Sequence, residues 1–281
     1  MNDRGAAVIN VFEFPVRCRR GESRARQRVC AVQEDAGAVP DWSIFAPCGA
    51  LHLVSALGCA ALITIVVRAG RSAGSKDAER AVRRSIALFG LAEWFVDNIA
   101  WNWHGIDVSE GLPLQLCDVA GVVAPLALLT LDRRLRAAVY FWGLTLTTQA
   151  FIQPTLTQGP ANLLFWCFWI SHTVILGCAV YDLVVLGFRP GWADLGRALA
   201  VSAAYLAVVV PVNLLLASDY GYIGNPPPGR LIPPFVALLG PWPQRAFVVV
   251  ALAAMAFLLA LAPWVVRPRA PRGTPSSAGA S

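Results

Sequence analysis

Residues 112–131 read LPLQLCDVAGVVAPLALLTL, a run in which Asp118 is the one charged side chain. A stretch of that length and polarity reads as a helix crossing ~30 Å of hydrocarbon. The whole chain agrees. It is 57% hydrophobic and 14% charged, with a mean hydropathy of +0.57, far from the balance of a soluble domain. Comparable runs lie at 46–67, 86–103, 136–153, 161–186, 196–217 and 242–265, making seven with the first. Two of them are weaker, because 86–103 carries Glu93, Asp97, Asn98 and Asn102, and 136–153 carries Thr145, Thr147, Thr148 and Gln149. Six spans is therefore the alternative count. The fold class is all-α, a polytopic membrane helix bundle, expected as a multi-pass protein of the cell membrane.

Orientation follows from the arginines, since positively charged connections stay cytoplasmic. The 68–85 connection holds Arg68, Arg71, Lys76, Arg80, Arg83 and Arg84. Arg133, Arg134 and Arg136 flank the next connection on that side, followed by Arg189, Arg197, Arg267, Arg269 and Arg272. Connections 104–111 and 154–160 hold no Lys or Arg, and Arg230 and Arg245 flank the last loop of that face. Seven spans then put the N-terminus outside and the C-terminus inside. The seven arginines among the first 28 residues lie too far from the first span to reverse this. Residues 1–45 read as a disordered extension, 46–266 as the helical bundle and 267–281 as a disordered Pro/Ser/Gly tail. The net charge of +6 belongs mostly to the inner connections. It points to anionic lipid headgroups, with membrane phospholipids as partners and no nucleic acid. The seven cysteines lack the paired spacings of a zinc or redox motif, so neither metal nor cofactor is expected.

With that topology, most intramembrane polar groups fall near the outer face: His52, Glu93, Asp97, Asn98, Gln115, Cys117, Asp118, Gln149, Gln153 and Asn213, with His104 at the surface and His172 deeper. Only Asp182 lies in an inner half. Ionisable groups in hydrocarbon cost ~2.5–3.5 kcal/mol each on insertion scales and usually face a bundle interior or a watered cavity. A cavity open to the outer side is the expectation. Amides in membrane helices also bond neighbouring helices, which is the plain reading of Gln149, Gln153 and Asn213. Glu93 and Asp97 are four apart and share a helix face, with His104 eleven beyond Glu93. Pro113 favours a helix start near itself, which would place Cys117 in the second turn. Asp118, about 100° round from Cys117, is not expected to face the same partner. The aromatic, Pro-rich segment 220–243 reads as an interface anchor.

Four stretches carry a resemblance. They are Leu112-Pro113-Leu114-Gln115-Leu116-Cys117; Tyr140-Phe141-Trp142-Gly143; Ser171-His172; and Tyr220-Gly221-Tyr222 with Leu239-Gly240-Pro241-Trp242-Pro243. With these the chain resembles the YwaF-like integral membrane proteins of bacteria, to which an animal transmembrane phospholipid acyltransferase is related. The resemblance implies that Cys117 is the acyl-carrying nucleophile and that His172 is the intramembrane histidine of the site. The chain departs from it at Gln115, where many relatives have His, and at Asp219, where Asn is usual. A Cys–His pair suits acyl transfer because the thiolate is the attacking species and imidazole can take and return its proton. Amides of Gln115, Gln149 or Asn213 are the candidate oxyanion donors. An outer site has no access to cytosolic acyl-CoA, so a membrane phospholipid is the expected donor. The alternatives are a proton-coupled solute carrier or receptor built on Glu93 and Asp97, and a metal-dependent lipid hydrolase using Glu93, Asp97, His104 and His172.

Overall fold

Apolar side chains dominate every long segment, and helices satisfy all their internal backbone groups, so the chain folds as rods packed side by side. The computed structural model describes residues 42–227 and 232–266 of the 281. The expected N-terminal extension up to residue 41, the C-terminal tail, and Pro228, Gly229, Arg230 and Leu231 lie outside the described residues. Trp42–Phe45 do not belong to a disordered extension. Phe45 is buried and its N–H donates to Thr157 O at 2.9 Å, while Ile44 makes an antiparallel bridge with Gln158.

The helices are α1 (Ala50–Arg71), α2 (Lys76–Trp101), α3 (Leu116–Thr130), α4 (Arg133–Phe141), α5 (Gln149–Ile152), α6 (Leu163–Val184), α7 (Trp192–Leu216), α8 (Pro234–Ala237) and α9 (Gln244–Val265). A π-helical segment, Trp142–Leu146, joins α4 towards α5, and a single 3-10 turn covers Tyr220–Tyr222. Their ends are set by local chemistry. Ser75 accepts from Ala78 N–H at the start of α2, Asp132 from Arg134 and Leu135 N–H at α4, and Asn162 from Leu164 N–H at α6, each satisfying donors the first turn leaves open.

Four helices, α1, α6, α7 and α9, are long and apolar enough to cross a membrane; α3 is a shorter apolar helix of 15 residues. Three spans differ from expectation. The second begins at Lys76 rather than near residue 86, because Ser75 caps it and Asp77 and Glu79 favour its first turn. The third begins at Leu116 rather than residue 112. The fourth is broken where Thr147 N–H reaches back five residues to Trp142 O (2.9 Å), as a π-bulge does.

Helix α6 is central: 44% of its apolar window is buried, against 11% for α1, α7 and α9. It packs against α1, α2, α3 and α4, while α7 lies on α4 and α9 on the π segment and α7. One contact fixes the depth register. A Cβ on Gly90 of α2 would lie 2.6 Å from Val174 Cγ1 of α6 and 2.9 Å from Pro125 Cγ of α3, so these three residues share a level and residue 90 must stay small.

The arginine-rich end of the bundle is held by ion pairs. Arg133 forks onto Asp194 through Nε and Nη2 (2.8 Å each), with Arg197 on the same carboxylate. Arg136 holds Asp182 at 2.7 Å with both largely buried, and stacks over Phe188. Arg83 meets Glu79, which also accepts from Tyr181 Oη, and donates to Leu128 O. Asp182, the one acid placed in an inner half from sequence, is thus a structural partner of Arg136.

Candidate functional site

The site is built at the start of α3. Gln115 (φ −61°, ψ 149°) is the residue before the helix, so Cys117 is the second helical residue and Asp118 the third. Cys117 is therefore in the first turn, not the second, since Pro113 and Leu114 lie in a tight approach with Leu114 N–H on Leu112 O. Gln115 N–H donates to Asp118 Oδ2 (3.1 Å), which turns the carboxylate back over the helix start. Its other oxygen receives the Cys117 thiol, Sγ to Oδ1 3.7 Å. The expectation that Asp118 faces elsewhere fails here, because a side chain capping the N-terminus folds backwards instead of projecting radially. The first ladder bonds are Asp118 and Val119 N–H to Gln115 O (3.0 and 3.2 Å). They leave the N–H of Leu116 and Cys117 outside the helix ladder, at the positive end of the helix dipole.

The Tyr220–Tyr222 turn lies over this point. Gly221 N–H donates to Gln115 Oε1 (2.9 Å), Tyr205 Oη to Leu114 O (3.0 Å), and Tyr220 Oη to Val108 O (2.9 Å) while accepting from Leu112 N–H. Gly221 has φ +68°, and a Cβ there would meet Tyr205 Oη at 2.8 Å, so only glycine fits. Asn213 anchors the turn from α7. Its Nδ2 donates to Tyr220 O, and its Oδ1 accepts from Tyr220 N–H and Ser218 Oγ, all at 2.9 Å. Buried Arg245 of α9 closes it from the other side, donating to Tyr222 O, Gly224 O and Asp219 Oδ1. Asp219, the departure noted in the sequence, is thus the counter-charge of Arg245.

These bonds account for the expected amide donors. Both groups of the Asn213 amide are engaged in holding the turn, Gln115 is tied to it through its acceptor Oε1, and Gln149 is exposed on α5. The feature that sequence reasoning missed is the pair of backbone N–H groups of Leu116 and Cys117, which stand outside the helix ladder beside the thiol. A cap signal, Gln-x-x-Asp over 115–118, was there to be read.

Depth explains the fate of the acids and histidines. From the shared level of Gly90, Pro125 and Val174, a rise of 1.5 Å per residue puts Cys117 and Asp97 roughly 11 to 12 Å towards their end of the bundle. The same count puts His172 about 3 Å and Glu93 about 4.5 Å in that direction. Asp97 is accordingly within electrostatic reach of Cys117, Asp118 and Cys167. His172 lies roughly 9 Å deeper than the thiol, and the expected Cys117–His172 pair is not made. Its Nδ1 lies 2.7 Å from Phe168 O, so that nitrogen carries the proton and Nε2 the lone pair. Its ring sits against Phe168 and Phe151. Glu93 Oε1 is buried with no hydrogen-bond partner.

The remaining histidines are elsewhere. His52 accepts from Cys48 N–H and bonds Phe151 O, both at 2.9 Å, tying α1 to α5. His104 is exposed beyond the end of α2 at Trp101, off the face of Glu93 and Asp97. Among the described residues no group of three His, Cys, Asp or Glu side chains is placed to hold a metal. Cys117 is half-buried beneath the turn. One groove of the bundle surface is lined by Ala56, Cys59 and Phe151, and another by Phe95, Asn98 and Trp103.

A helical bundle with several membrane-crossing helices and a polar cluster inside one end defines an integral membrane protein. The chain belongs to the TMEM164 family, whose model matches residues 46–261. No curated protein and no solved structure matches it.

Proposed function

We propose that this membrane protein is a cysteine-dependent phospholipid acyltransferase, with Cys117 as acyl carrier and Asp118 as its proton partner. One observation carries the reading: a thiol in the first turn of a helix, on a carboxylate, beside two backbone N–H groups that the helix does not use. The Sγ–H proton passes to Asp118 as sulfur attacks the ester carbonyl of a phospholipid. The oxyanion accepts from the N–H of Leu116 and Cys117, a type of donor whose removal typically costs ~3 kcal/mol of transition-state stabilisation. The C–O bond breaks and the lysolipid oxygen takes the proton from Asp118. An acceptor hydroxyl then gives its proton to Asp118, its oxygen attacks the thioester carbonyl, and the C–S bond breaks as sulfur regains a proton. His172, about 9 Å deeper, flanks the acyl chain of a lipid whose ester lies at Cys117 and takes no proton in this cycle. Seven spans in the cell membrane, with the Cys117 end outside, belong to the same proposal; the arginine distribution supports them.

The test is intact-mass analysis of purified protein incubated with phospholipid vesicles. An acyl adduct on Cys117, abolished in Cys117→Ala and strongly slowed in Asp118→Asn, is expected; transfer that proceeds with an unmodified Cys117 sinks the thioester. The unpartnered Glu93 oxygen beside Asp97 favours a second reading, a proton-coupled carrier. That reading requires solute flux that survives Cys117→Ala and fails in Asp97→Asn.

A further inference from the structure

Three bonds from α7 and the turn after it hold the approach to α3. Leu112 N–H donates to Tyr220 Oη (3.0 Å), Gly221 N–H to Gln115 Oε1 (2.9 Å), and Tyr205 Oη to Leu114 O (3.0 Å). The third comes from within a helix. Tyr205 lies on the face of α7 that also carries the buried Val209 and Asn213, at successive steps of four residues. Its ring stands edge-on to Trp142, with centroids 6.1 Å apart, and Gly221 closes on its hydroxyl so tightly that a Cβ there would come within 2.8 Å. The Tyr205 side chain is therefore confined, with its proton on the Leu114 carbonyl.

That carbonyl belongs to the same peptide group as Gln115 N–H. The group is planar and trans, so its C=O and N–H point in opposite directions and can only turn together. Fixing one fixes the other. Gln115 N–H donates to Asp118 Oδ2 (3.1 Å), and Asp118 Oδ1 receives the Cys117 thiol (Sγ to Oδ1 3.7 Å). A chain of three hydrogen bonds thus runs from the Tyr205 hydroxyl, through one peptide and one carboxylate, to sulfur. Bonds linked in this way polarise and strengthen one another. Asp118 has no cationic partner among the described residues, so the Gln115 N–H is what keeps its other oxygen on the thiol.

We propose that Tyr205 is a positioning residue for acyl transfer at Cys117, acting through the peptide that joins Leu114 and Gln115 to hold the Asp118 carboxylate on the thiol. This rests on the acyltransferase reading and names what aims its proton acceptor. Tyr205 keeps its own proton throughout, and the bonds made and broken are those of the thioester cycle. Without the hydroxyl, the peptide is free to turn about its flanking single bonds, Gln115 N–H leaves Oδ2, and the carboxylate is no longer anchored from behind.

The experiment uses Tyr205→Phe, which removes one hydroxyl and leaves the ring. Rates of acyl-Cys117 formation are read by intact mass in phospholipid nanodiscs, against lipid concentration, for wild type, Tyr205→Phe, Asp118→Asn and the double variant. The S–H stretching band of Cys117 is read by infrared in detergent free of ester lipid, as the difference from Cys117→Ala. Tyr205→Phe should lower the maximal rate about tenfold, part of the ~10²–10⁴-fold that a placed proton acceptor contributes, with half-saturation near wild type. Its S–H band should move towards that of Asp118→Asn. The double variant should be no slower than Asp118→Asn, since a residue that acts through another adds nothing once the other is gone. A Tyr205→Phe rate within threefold of wild type, an unmoved S–H band, or a double variant in which the two losses multiply overturns the proposal. Wild type that forms no acyl-Cys117 overturns the acyltransferase reading and this proposal with it, whereas any of those three results beside an active wild type overturns this proposal alone.

Discussion

Replacing Asn213 by Ala separates the two roles open to that side chain. It is 3% exposed and makes three bonds of 2.9 Å, two to the backbone of Tyr220 and one to Ser218 Oγ. Alanine leaves the N–H and carbonyl of Tyr220 without partners in a site sealed from water, while the Ser218 hydroxyl can rotate to another acceptor. Each orphaned buried group costs about 1–3 kcal/mol, so the expected loss is roughly 2–5 kcal/mol once partial relaxation is allowed. Asn213→Asp keeps both acceptor bonds of Oδ1 but sets a carboxylate oxygen against Tyr220 O, and should lose about as much. Reversible unfolding of the purified protein in mixed detergent micelles, followed by circular dichroism, measures the difference. Were Asn213 instead an oxyanion donor, Asn213→Ala would unfold like wild type and lose only rate. Wild-type stability in Asn213→Ala therefore refutes the structural argument.

Other substitutions test the same framework. Gln115→Ala removes the acceptor of Gly221 N–H and should cost about 1–3 kcal/mol in unfolding; Gln115→His, which restores the residue usual among the relatives it resembles, can accept through an imidazole nitrogen and should cost less. Arg136→Met strands Asp182 at 4% exposure and should destabilise by about 3–5 kcal/mol. The double variant Arg136→Met with Asp182→Leu should recover most of that, and a double variant as unstable as the single would contradict a simple ion pair.

Much of the bundle was legible because membrane helices announce themselves by apolar length, and α1, α6, α7 and α9 fall close to their expected bounds. The edges were not. Ser75 and Gln115 move the starts of α2 and α3 by several residues, since a cap and its first-turn carboxylate outweigh hydropathy locally. At the site, Cys117 was found by resemblance and Asp97 by its cost in hydrocarbon. The pairing of Cys117 with His172 came from the resemblance, which carries no depth. The true depth register is set by a contact among Gly90, Pro125 and Val174, which no single segment contains. Asp118 was passed over because helical-wheel angles describe helix interiors, whereas a capping side chain folds back along the axis.

The two ends of the bundle handle carboxylates differently, and that difference bears on function. At the arginine-rich end Asp182, Asp194 and Glu79 each meet an arginine, and at the Cys117 end Asp219, in the turn after α7, meets Arg245. Among the described residues, Glu93, Asp97 and Asp118 have no such partner, although Asp97 and Asp118 are close enough to feel each other. Packing alone would be served as well by neutral side chains of similar volume, at a saving of several kcal/mol. Asp118 does have a structural use as the cap of α3, but the bond from Gln115 occupies one oxygen and leaves the other on a thiol. An acid without a cationic partner kept beside a cysteine, under a turn tied to the helix start, is an arrangement that stability does not explain, and it is the one the proposed acyl transfer would use.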